Sequence, residues 1–169
     1  MRYNISTGKL FPEESEFATS CVAALHTKPL LEVKFEVTKT GVNTYVWKNG
    51  ERDRFHGGGL YVIYRKQRSG LQCLYSGLTE KYTSNRINRW GKGLAGKLRD
   101  DENHPGAEKA LEMGVKVTDK FYVRHLDNEG IQQVLHDSNA PAYYLDTSYD
   151  EYVAFILNSC CNTRKKSVV

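Results

Sequence analysis

The chain has 169 residues, 40% of them hydrophobic and 26% charged, with a formal net charge of +4. That length fits one domain of ordinary size, or a domain with an extension, and it can bury a real core. The composition excludes a disordered chain, and no apolar run approaches the ~18 residues that a membrane-spanning helix needs.

Met1 to Leu10 is polar and lacks the apolar stretch of a secretory leader, so the expected location is cytoplasmic or otherwise intracellular. Phe11-Pro12-Glu13-Glu14 opens a helix, with proline early, acids in the first turn, and Phe17, Cys21, Ala24 and Leu25 on one side. It ends near His26. Leu30 to Lys39 alternates, Leu31, Val33, Phe35 and Val37 against Glu32, Lys34, Glu36 and Thr38, which predicts a strand with one buried face. Thr40-Gly41-Val42-Asn43 is a turn and Thr44 to Trp47 a returning strand, so the first fifty-odd residues read as a helix plus a hairpin. His56-Gly57-Gly58-Gly59 lacks the spacing of a phosphate-binding loop and reads as a flexible joint. It divides the chain into an extension, 1–56, and a main domain, 57–169.

Leu60 to Tyr64 and Gln72 to Tyr75 are short and rich in β-branched and aromatic residues, with Arg65 to Leu71 as a charged, glycine-bearing loop between them. That is a hairpin. Beyond Gly77, Arg86, Arg89 and Lys92 or Gly93 recur at helical spacing, so the guanidinium groups share one face near the hairpin's second strand. Asn103-His104-Pro105-Gly106 is a turn or helix start, followed by a short helix, Ala107 to Met113, closed by Gly114. Phe121 to Arg124 is a third core strand and Asn128 to His136 another short helix. Ser148 to Cys160 is the last helix, with Val153, Ile156, Leu157 and Cys160 as its buried stripe. The cysteines, Cys21, Cys73, Cys160 and Cys161, have no metal-ligand spacing, and free thiols are expected.

Charge is not evenly spread. Tyr61 to Arg99 holds nine basic side chains (Arg65, Lys66, Arg68, Lys81, Arg86, Arg89, Lys92, Lys97 and Arg99) against one acid, Glu80. A concentrated excess of cations interleaved with tyrosine and tryptophan suits a phosphate backbone, although a solvated helix face has the same composition.

Gly59-Leu60-Tyr61, then Tyr75-Ser76-Gly77 with its tyrosine fourteen residues after the first, then Arg86, Glu151 and Asn162, resemble the GIY-YIG nuclease superfamily. The likeness runs from about Gly58 to Lys165 and is nearest to the small stand-alone endonucleases of that group. It implies an α+β, sandwich-like domain: a three-stranded antiparallel β-sheet flanked by helices, here with the N-terminal helix and hairpin as an extension. It also implies a hydrolase that cuts DNA, most readily double-stranded DNA, with Mg2+ or Mn2+. A homo-oligomer is compatible with it and a membrane partner is not expected.

By that resemblance Tyr61 and Tyr75 stand at the attacking water, Arg86 on the phosphate, Glu151 on the metal, and Gly77 and Asn162 support the site. The chemistry asks for such groups, because negative charge builds on the phosphate oxygens as water attacks. A guanidinium's planar fork fits two of those oxygens, and Arg89 is the nearest competitor to Arg86. Arg65, Lys66, Arg89, Lys92, Lys97 and Arg99 are the candidate DNA-backbone contacts. Ser148-x-x-Glu151 is also a capping box, which gives the carboxylate a second use, and Asp150 is the alternative ligand. The family often carries His or Tyr one turn after the arginine, where this chain has Trp90. His104 or Tyr82 is then the candidate to fill that role. The rival reading is a nucleic-acid-binding module that keeps the fold and basic face without the reaction.

Overall fold

A computed structural model describes residues 3–4, 9–10, 20–44, 55 and 57–137. Its centre is the long strand β6 (Gly57–Gln67), flanked by β7 (Gly70–Lys81) on one side and β8 (Phe121–Asp127) on the other. The short strand β3 (Leu31–Val33) pairs with β8, giving an antiparallel sheet in the order β3-β8-β6-β7. The architecture is α+β, as expected. Among the described residues, however, the sheet has four strands and not three, because the N-terminal segment supplies one of them.

The hairpin expected of that segment is present, but the strand expected over Leu30 to Lys39 is split between it and the main sheet. The chain leaves the ladder at Lys34, and β4 (Phe35–Val37) pairs instead with β5 (Val42–Thr44) in a separate two-stranded sheet. A second small pair joins β1 (Tyr3–Asn4) to β2 (Lys9–Leu10). Period-two patterning reports which face is buried, and it carries no information about which strand is the partner.

The glycine run before Leu60 is strand and not a joint. A Cβ on Gly58 would lie 2.1 Å from the Glu80 carbonyl oxygen, and one on Gly59, at φ 143°, 2.2 Å from that of Leu126. These glycines let β7 and β8 close on β6 from both sides. The predicted loop from Arg65 to Leu71 also shrinks. Ladder pairing continues to Gln67 and Gly70, leaving Arg68 and Ser69 as the turn, with Gly70 at φ 122°.

Helices cover both faces. On one lie α2 (Thr83–Leu94) and α3 (Pro105–Glu112), whose Ile87, Trp90, Leu94, Ala107 and Ala110 pack with Tyr61, Ile63, Phe121 and Val123. On the other lie α1, described over residues 20–26, and α4 (Asn128–Asp137), where Cys21, Leu25 and Ile131 meet Leu60, Val62 and Leu126. A bulge sits between the Ile63↔Tyr75 and Tyr64↔Cys73 pairs, so Leu74 is the extra residue. It lets consecutive residues Leu74 and Tyr75 both face α2 and α3.

Cys21 is buried and outside any disulfide, as expected, whereas Cys73 is disulfide-bonded, which corrects the expectation of free thiols at that position. Among the described residues no helix is long and apolar enough to cross a membrane.

Candidate active site

Tyr61 and Tyr75 meet. They sit on adjacent strands with register Tyr61↔Gly77, so Tyr75, two residues before Gly77, points to the same face as Tyr61. Their ring centroids lie 6.1 Å apart with planes tilted at 49°. Gly77 has an ordinary backbone conformation and is required for space: a Cβ there would stand 2.4 Å from the Tyr61 hydroxyl. The phenol of Tyr61 therefore lies flat across its neighbour strand and is 2% exposed, while Tyr75 is half-buried.

His104 joins this pair. Its ring meets that of Tyr75 edge-on at 5.1 Å, and its Nδ1 accepts the Ala107 N–H at 3.2 Å, capping α3. When the imidazole is neutral, that bond puts its proton on Nε2 and makes it a donor at that atom. The turn reading and the site reading of His104 are thus compatible. The approach depends on Gly106, where a Cβ would lie 2.4 Å from the Tyr75 ring. Sequence reasoning missed Gly106 because nothing in a Pro-Gly helix start reveals which ring will lie against it.

Trp90 belongs to the core. It is fully buried, edge-on to Phe121 at 5.1 Å and tilted to Phe35 at 6.1 Å, so the position one turn after Arg86 serves packing. Two glycines make this close packing possible. A Cβ on Gly91 would meet the Phe35 ring at 2.6 Å, and one on Gly93 would meet the Ala107 methyl at 2.6 Å and the His104 Cβ at 3.2 Å.

Arg86, Arg89 and Gly93 are spaced at i, i+3 and i+7 on α2, hence on one face. Because Gly93 touches His104, this face runs from the aromatic group towards the N-terminal end of the helix. Beside it opens a hollow of about 690 Å³, lined by Lys81, Arg86, Arg89, Lys92, Lys97 and Arg99 with one carboxylate, Glu102. Thr40, Tyr82, Asn85 and Leu98 complete the lining. Arg89 is held by Glu102 at 3.3 Å. Arg86 is exposed, and among the described residues its side chain makes no hydrogen bond or ion pair, which distinguishes it from its competitor. Six cations around one acid make a strongly positive concavity, where field lines concentrate.

Other expected residues lie elsewhere. Arg65 pairs with Gln72 near the hairpin's turn, its Nε donating to Oε1 at 2.6 Å, and Lys66 stands 5.9 Å from the Tyr122 ring. Gly57↔Lys81 marks the opposite end of that hairpin, eight residues or about 26 Å from Arg65 along the strand. The structure does not bring Arg65 and Lys66 to the hollow. Glu151, Asp150 and Asn162 lie outside the described residues.

The metal question follows from the same geometry. Among the described residues no three His, Cys, Asp or Glu side chains lie together, and Glu102 is engaged by Arg89. The described residues thus offer cations for phosphate and no cage for Mg2+ or Mn2+. The ligand that the resemblance assigns, Glu151, is not among them. Compared with the known protein families, with curated proteins and with solved structures, the chain finds no match.

Proposed function

We propose that the chain is a divalent-metal-dependent endonuclease that hydrolyses DNA phosphodiesters, as the GIY-YIG resemblance implies. The observation that carries this reading is Arg86, whose side chain has no partner among the described residues, in a six-cation hollow on a helix face that leads down to the Tyr75–His104 pair. In it Arg86 grips two oxygens of the scissile phosphate with its planar fork. Tyr61 and Tyr75 orient the attacking water, and His104 donates from Nε2 towards developing negative charge. Mg2+ or Mn2+, taken up through Glu151, would supply charge neutralisation at the leaving oxygen. Lys92, Lys97 and Arg99 hold the flanking backbone.

A second reading has its own support. Trp90 fills the core where the resemblance has His or Tyr, and this favours a binding module without catalysis. Plasmid DNA incubated with Mg2+ separates the two. Nicking or linearisation that disappears in Glu151→Ala, while a gel shift persists, is expected of the nuclease. A gel shift with intact plasmid for the unaltered chain would leave the binding module.

A further inference from the structure

Tyr82 is the one non-glycine residue among those described with a positive φ. Its backbone is left-handed, φ 57° and ψ 59°, at the point where β7 passes into α2. Cβ crowding makes this conformation unfavourable for L-residues other than glycine, asparagine and aspartate. The side chain is nonetheless a large aromatic, 49% exposed, and it lines the basic hollow. Around it stand Lys81, Asn85, Arg86 and Arg89, all lining the same hollow. An outlier of this kind at a concave charged surface is grounds for a functional hypothesis.

We propose that Tyr82 is a stacking platform for an unpaired nucleobase whose flanking phosphates are held by Lys81 and Arg86. This rests on the nucleic-acid reading above and deepens it by naming the form of the substrate: a strand that presents at least one unstacked base at the mouth of the hollow. Aromatic faces take any base by stacking, while neighbouring cations follow the backbone. A continuous duplex offers phosphates to the hollow and keeps its base faces to itself. Asn85, exposed at i+3 from Tyr82, is placed to bond the edge of the stacked base.

The test uses the full chain in EDTA, with fluorescein-labelled oligothymidylate, the same strand with abasic sites, and a duplex of equal length. Tyr82→Asn removes the ring and suits the left-handed backbone, and a melting curve establishes that the variant is folded. It is expected to weaken oligothymidylate binding roughly tenfold, to leave the abasic strand and the duplex unchanged, and to be rescued by Tyr82→Phe. Unchanged oligothymidylate affinity in Tyr82→Asn, or equal weakening for intact and abasic strands, overturns the stacking role. If Arg86→Ala still weakens every probe, the phosphate site stands without it. Failure of the unaltered chain to bind any probe overturns the nucleic-acid reading and the stacking role together.

Discussion

Arg86 and Thr83 sit one turn apart on α2 and do opposite kinds of work. Arg86 is exposed and its side chain makes no hydrogen bond or ion pair among the described residues, so Arg86→Ala should shift stability by no more than about 0.5 kcal/mol. If it holds the phosphate in the transition state, plasmid cleavage should fall roughly a hundredfold. A melting curve and a time course on one preparation check both halves. Thr83 is fully buried, donates to the Gly57 carbonyl at 2.8 Å and lies 3.1 Å from the His125 Nε2. One hydroxyl thereby ties the start of α2 to β6 and β8. Thr83→Val keeps the shape and removes both contacts of a buried hydroxyl, so it should cost about 1–3 kcal/mol. The expected readout is a lower urea midpoint at unchanged slope.

Among the elements, the hairpin and the two helices above it are fitted through missing side chains. Gly77 lies beneath Tyr61, Gly106 against Tyr75, and Gly93 beneath His104 and Ala107. A glycine inside a helix gives up about 1 kcal/mol relative to alanine, and here it allows α3 to approach α2. Gly77→Ala would push a methyl into the Tyr61 ring from a strand held by ladder bonds, a clash costing about 1–3 kcal/mol. The ring must turn to escape. Both a lower melting temperature and a cleavage loss larger than unfolding explains are expected. Gly96, at φ 66°, has open space where a Cβ would go, so Gly96→Ala should cost only its backbone strain and spare cleavage. Comparing the two at matched stability separates ring displacement from general loosening.

At the scale of the whole molecule, the +4 of the chain is carried as a local excess around one hollow. Among the described residues Lys81, Arg86, Lys92, Lys97 and Arg99 make no ion pair, while Arg89 is neutralised by Glu102. Duplex binding should therefore weaken with salt at a log–log slope of roughly −4 to −5. Removing Arg86 should make that slope shallower by about 1. Fluorescence anisotropy across a salt series measures it, and a flat response would point to a partner other than nucleic acid. The α+β class, the Tyr61–Tyr75 hairpin, the arginine face of α2 and the capped start of α3 were all legible in the sequence. Each follows from spacing along a local element, and spacing is a property of the chain itself. Pairing β3 with β8, setting His104 against Tyr75, separating Arg65 and Lys66 from the hollow and engaging Arg89 with Glu102 were decided only by the tertiary structure. These depend on which surfaces meet when the chain closes, and residues distant in sequence carry no local mark of one another.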